Sequence, residues 1–211
     1  MAALVQAKAS FDGTAPSSIS YASNNTAGNL LLFHIQNSTG RTVSDSQGNI
    51  WLGPIIDAGG THDCVLYYVA GCKAGANTVS LAGGGENMAI FEFSGYNTFD
   101  VGGFGGNYNT SQSTWTSNAI TTTKAVELIF GFIQQSVDTT GLTVDSPYTK
   151  ISPAGSPPVD YEWYYEEATS IQTGLTGTGS CHSGAQDHGW MLGSFYLVST
   201  APLLMMMGLG L

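Results

Sequence analysis

From Thr42 to Tyr96 the chain alternates short apolar runs with tight polar turns, reading TVSDSQGNIW, CVLYYVAGCKAGANTVSL and MAIFEFSGY in turn. Val, Ile, Tyr, Phe, Trp and Thr fill the runs; Gly, Asn, Asp and Ser fill the gaps. No stretch carries the 3.6-residue period of an amphipathic helix. Turns recurring every ~8–12 residues between β-branched and aromatic runs predict an all-β chain. The expected architecture is a two-sheet antiparallel β-sandwich, jelly-roll-like, over residues 1–200, with an apolar C-terminal tail over 201–211.

Strands are predicted near 3–11, 16–22, 29–36, 41–45, 49–57, 62–70, 76–82, 87–96, 113–122, 126–136, 142–151, 159–168, 171–178 and 187–199. Leu30 to Phe33 and Leu128 to Ile133 are apolar at every position but one, which predicts central strands covered on both faces. Tyr161, Trp163 and Tyr165 alternate with Glu162, Tyr164 and Glu166, the pattern of a strand with one solvated face. The Gly83-Gly84-Gly85 and Gly102-Gly103-Phe104-Gly105-Gly106 clusters follow no strand-to-helix pattern, so they read as flexible loops or as places where another chain's backbone packs closely, not as phosphate cradles. Ser152 to Pro158 reads as a Pro-rich loop.

Charge narrows the function. Only 9% of the residues are charged and the net charge is −10, with five basic residues spread singly. No basic patch exists to release counterions from nucleic acid, and anionic membrane surfaces are disfavoured for the same reason. Few Lys residues guard the strand edges, which favours burial of surface in an assembly. The N-terminus MAALVQAKASF lacks the basic and apolar regions of a signal peptide, so either the protein stays inside the cell that makes it or this is a mature form, and Met1 favours the first. No run approaches the ~20 apolar residues of a membrane span. Cys64, Cys72 and Cys181 are expected as free thiols, with a bridge to Cys181 as the alternative.

Chemistry-bearing residues are few. Asp45-Ser46-Gln47-Gly48-Asn49 is a hairpin turn in which Asp bonds its own downstream backbone; a calcium loop is the rival, with one carboxylate where several oxygen ligands are needed. His62, Cys64, Cys181, His182, His188 and neighbouring Asp63 would form a metal or Cys-His site only by converging from distant segments. Glu162 and Glu166 on one strand face lie about 13 Å apart, the wrong arrangement for a glycosidase pair. Trp115, Trp163 and Tyr165 are candidate stacking platforms for a glycan. No enzyme activity, cofactor or metal is expected.

After Val198 the sequence loses all charge, ending Pro202-Leu203-Leu204-Met205-Met206-Met207-Gly208-Leu209-Gly210-Leu211. Apolar surface of this kind seeks burial, in its own domain or in a neighbour. Phe104, Leu203, Leu204, Met205, Met206, Met207, Leu209 and Leu211 are therefore the candidate assembly residues.

The order AGNLLLFHIQN, VSDSQGNIW, VLYYVAGCKAGANTVSL, IFEFSGY and AVELIFGFI resembles a widespread family of bacterial and bacteriophage β-sandwich proteins, over roughly residues 3–198. The resemblance implies either a repeat of a secreted adhesin-like protein or a stand-alone virion component of a tailed phage, and it supplies no catalytic residues. The chain shows no sequence repeat or signal peptide and ends in an apolar tail, which favours the phage-like case. The function expected is a non-enzymatic structural protein of the virion, assembled in the host cytoplasm: a capsid decoration, fibre or tail accessory subunit. It would contact other virion proteins and form a homo-oligomer, binding neither nucleic acid nor membrane. The alternative is an extracellular carbohydrate-binding or adhesin-like module that contacts a host surface glycan.

Overall fold

A computed structural model describes residues 3–10, 16–36, 40–57, 64–83, 87–135, 142–156, 161–181 and 185–198. The described residues form strands and turns without a helix. In chain order the strands are β1 (Ala3–Ser10), β2 (Ser18–Ser20), β3 (Leu30–Gln36), β4 (Val43–Asp45), β5 (Leu52–Asp57), β6 (Cys64–Val69), β7 (Thr78–Leu81) and β8 (Met88–Ser94). They continue as β9 (Thr98–Ser111), β10 (Thr114–Thr116), β11 (Glu127–Gln135), β12 (Thr149–Ile151), β13 (Ala154–Ser156), β14 (Tyr161–Ala168), β15 (Thr178–Ser180) and β16 (Ala185–Tyr196).

Four sheets form where two were expected: a large sheet β13-β1-β8-β3-β6-β5, a second large sheet β12-β14-β11-β16-β9, and small sheets β2-β7-β4 and β10-β15. All pairings are antiparallel except β1 with β13. Side-chain alternation sorts the core into three layers. Leu30, Leu32, Phe91 and Phe93 meet Phe130, Phe132, Trp163 and Phe195 between the large sheets. Leu31, Phe33, Ile35 and Ile90 pack under the first small sheet with Ile19 and Val79. Ile129, Ile133, Tyr164 and Leu192 pack under the second with Trp115. Both faces of β3 and β11 are buried, as their sequences predicted.

The chain is a structural duplication. The order β1-β8-β3-β6-β5 is repeated as β9-β16-β11-β14-β12. Leu30 faces Phe93 as Leu128 faces Phe195, and Leu32 faces Tyr68 as Phe130 faces Tyr165. Residues 143–145 extend the second small sheet as β4 extends the first, with Thr143 N donating to Ser180 O at 3.0 Å and Asp145 N to Thr178 O at 2.9 Å. A pseudo-two-fold axis runs along the strands between the large sheets. Tyr68 of the first half meets Phe195 of the second at 5.8 Å and 63°, and the equivalent Tyr165 meets Phe93 at 5.6 Å and 63°. The equivalent residues His34 and Phe132 stack on each other at 4.1 Å, next to the axis.

Three expectations need correction. The cluster at 102–106, read as a flexible loop or a place where another chain's backbone packs closely, lies within a 14-residue edge strand, Thr98–Ser111. Glycine is needed there because the segment after β10 lies on it: a Cβ at Gly103 would sit 3.2 Å from Ile120 Cγ2, and one at Gly105 2.8 Å from Asn118 Oδ1. The Pro-rich loop contains β13, which crosses over to pair in parallel with β1. The face of β14 read as solvated is largely covered, since Glu162 is buried and Tyr164 packs beneath the second small sheet.

Candidate functional site

The motif residues of the hairpins prove to be internal braces. Asp45 Oδ1 accepts Gln47 N at 3.1 Å and Asn49 N at 2.9 Å. Its Oδ2 accepts Asn49 Nδ2 at 2.7 Å, Trp51 Nε1 at 3.1 Å and Asn77 Nδ2 at 3.1 Å. Burial raises the Asp45 pKa, but the bonds from Asn49, Asn77 and Trp51 outweigh it and hold the carboxyl below its ordinary value. With every lone pair facing an N–H donor, Asp45 has nothing left for a calcium ion. It ties the DSQGN turn to Trp51 and to the Asn77 end of the KAGAN turn. Lys73 completes the junction, donating through Nζ to the carbonyls of Gln47 and Gly48 at 3.0 and 2.9 Å.

Glu92, fully buried, is held in the same way. Gln6 Nε2, Asn25 Nδ2, Thr26 N and Asn29 Nδ2 donate to it at 2.6, 2.8, 2.8 and 2.7 Å. In the second half the carboxylate changes strands: Glu127 stands where Asn29 does, and Ser194 where Glu92 does. Burial raises the Glu127 pKa despite the bond it accepts from Lys124 N at 2.8 Å.

The histidines and cysteines do not converge. His34 lies in the central layer between Phe132 and Trp163, whereas His188 faces the second small sheet opposite Gln135. Cys72 belongs to the first outer layer and Cys181 to the second, so the two described thiols are unbridged. Burial pushes the Cys72 thiol up to about 11, and it donates to Thr26 O at 3.1 Å. His62, Asp63 and His182 lie outside the described residues, as does the side chain of Cys64. Among the described residues no three His, Cys, Asp or Glu side chains gather to hold a metal.

Two of the three proposed stacking platforms, Trp115 and Trp163, are core residues, which corrects the reading of their aromatic pattern. Trp115 is 2% exposed and packs on Tyr164; Trp163 is 1% exposed, with Phe91, Phe132 and Tyr161 around its ring. Tyr165 is half-buried, with its ring against Phe93. A sugar needs an open ring face, and the two tryptophans present none. The Trp163 strand reads as amphipathic because the sequence does not announce the second small sheet, which carries Trp115 and covers the Tyr164 face. Glu162 forms an ion pair with Lys150, and Glu167 accepts the Tyr96 hydroxyl at 2.9 Å.

Phe104 is exposed by 47%, on the edge strand of its sheet. Leu203, Leu204, Met205, Met206, Met207, Leu209 and Leu211 lie outside the described residues. The sequence reading missed an apolar end of the molecule. β11 begins where β14 and β16 end, and Tyr96–Glu167 and Tyr68–Phe195 bring the matching end of the first half alongside. Ile50, Leu52, Val126, Ile171, Leu197 and Val198 belong to segments at this end and are exposed there, Ile50 by 78%. Scattered through loops 50 to 198, they leave no periodic signature in the sequence.

No protein-family model, curated protein or solved structure matches this chain. Among the described residues no helix is long and apolar enough to cross a membrane.

Proposed function

We propose that this chain is a non-enzymatic structural protein of a bacteriophage virion, a jelly-roll-like subunit acting as capsid decoration, fibre or tail accessory, that self-associates or docks on the particle. The reading rests on the apolar end: six exposed large side chains belong to segments at that end, and the last strand also ends there, ahead of the uncharged sequence 199–211. Exposed apolar patches rimmed by polar residues mark sites of association. The carboxylates Asp45 and Glu92 serve the fold, which suits a mechanical role. The resemblance of the DSQGN and KAGANTV hairpins to phage β-sandwich proteins points the same way.

Light scattering after size exclusion tests the proposal. The full chain is expected to form a defined oligomer, and Ile171→Asp with Leu197→Asp is expected to shift it to monomer with an unchanged β-type circular dichroism spectrum. A full chain that stays monomeric at every concentration, and pelleted with no phage particle, would rule the proposal out.

A further inference from the structure

Beside the braced hairpins of the first half lies a recess of about 460 Å³, lined among others by Gly48, Asn49, Ile50, Leu52, Val69 and Lys73. It opens at the apolar end. The duplication shows that the fold does not require it: Thr149 stands where Leu52 does, and Glu166 where Val69 does. The same scaffold thus carries a polar residue and a carboxylate at the second position; Val69 is apolar because it packs in the first outer layer, whereas Leu52, 39% exposed, is an apolar side chain that the fold does not require.

The uncharged C-terminal sequence starts close by. The Phe195 ring touches Tyr68, the neighbour of Val69, and Val198 follows three residues later. Thirteen residues remain beyond Val198, including seven Leu and Met side chains from Leu203 onward.

We propose that the recess receives the apolar C-terminal segment, Leu203 to Leu211, of a second copy of this chain. The inference rests on the assembly reading above and names the contact that performs it. A tail folding back on its own recess would leave Val126, Ile171 and Leu197, each more than half exposed, uncovered on the other half of the same end. A second copy meeting this end covers those side chains as well. Two copies related by a two-fold axis each supply one tail and one recess, so the contact closes without leaving a free partner.

Full-length protein with benzoylphenylalanine in place of Ile50, irradiated and mapped by mass spectrometry, decides the matter. The expected product is a covalent dimer joined to a peptide within 203–211, lost in a Leu204→Asp, Met206→Asp variant. Leu52→Asp is expected to weaken association by roughly tenfold or more, the effect of leaving one large apolar side chain unburied. A cross-link to 203–211 at monomer mass overturns the proposal in favour of the chain's own tail. A covalent dimer joined elsewhere overturns it and leaves the assembly reading standing. A monomer by light scattering with no cross-link overturns both.

Discussion

In the first half Ile19 faces Val79 across the small sheet; at the same register of the second half Trp115 faces Gly179. The exchange runs through the layer below. Phe33 of the first half corresponds to Gly131, and the Tyr164 ring lies where a Cβ on Gly131 would be, 2.1 Å from it. Tyr67, the equivalent of Tyr164, instead sends its hydroxyl to Arg41 O at 3.0 Å. One half fills its outer layer with aliphatic residues around Phe33, Tyr21 and Tyr67, and the other with Trp115, Tyr164 and Tyr148 stacked over glycines. Two copies of one backbone plan therefore reach close packing with opposite distributions of volume, which is what a core that requires total volume and shape, and not particular residues, allows.

The largest expected effect comes from forcing one solution onto the other half. A Cβ at Gly179 would meet Thr143 O at 1.9 Å and Trp115 Nε1 at 2.6 Å. Gly179→Val should cost more than about 3 kcal/mol, as severe overpacking does, and adding Trp115→Ile should recover part of it. Denaturant unfolding measures both. A loss below about 1 kcal/mol for the single variant would break the comparison.

The axis itself gives the next test. His34 is fully buried, neither ring nitrogen has a hydrogen-bond partner, and its equivalent in the second half is Phe132. Burial lowers its pKa from 6.5 to about 3. The unfolded chain then binds a proton the folded chain refuses, so stability is intact above pH ~6.5 and falls by about 1.4 kcal/mol per unit toward the folded value. His34→Leu should remove that slope and stabilise the protein most at pH 4 to 5, since an unpaired polar group is replaced by an apolar one. Parallel pH profiles for the two proteins would count against burial as the cause.

A smaller difference separates the hairpins. Asp45→Ala strips five N–H groups of their acceptor and should cost about 2–3 kcal/mol. Asp145→Ala, in the exposed turn of the other half, loses a bond from Thr178 Oγ1 at 3.1 Å and should cost under about 1 kcal/mol. Acid sharpens the contrast. The Asp45 contribution is present above its unfolded pKa of ~3.9 and is lost as pH falls through its lowered folded value. Burial raises the pKa values of Glu127, Glu162 and Glu166, so their contribution has the opposite sign and improves as pH falls. Equal losses for Asp45→Ala and Asp145→Ala would show that the motif turn is no special brace.

Much of the fold was legible because strand signals are local. The runs at 30–36 and 128–135 announced buried central strands, and the DSQGN turn announced a hairpin. The duplication left a faint trace, Leu30 with Ile35-Gln36 recurring as Leu128 with Ile133-Gln134, and Tyr67-Tyr68 as Tyr164-Tyr165. It was missed because volume moved between positions, so equivalent residues rarely match in type. The Trp163 strand was misread because alternation records polarity along one strand and is silent about a covering layer formed by β10 and β15. β9 was missed because glycine carries no strand signal.

The sequence by itself determined that the chain is all-β and where its main turns fall; both follow from residue chemistry acting over a few neighbours. Only the tertiary structure decided that two equivalent halves face each other about one axis, that Trp115 and Trp163 are core, and that Ile50, Val126, Ile171 and Val198 share one end. Those facts depend on contacts between residues tens of positions apart, which burial and close packing select only when the whole chain has folded.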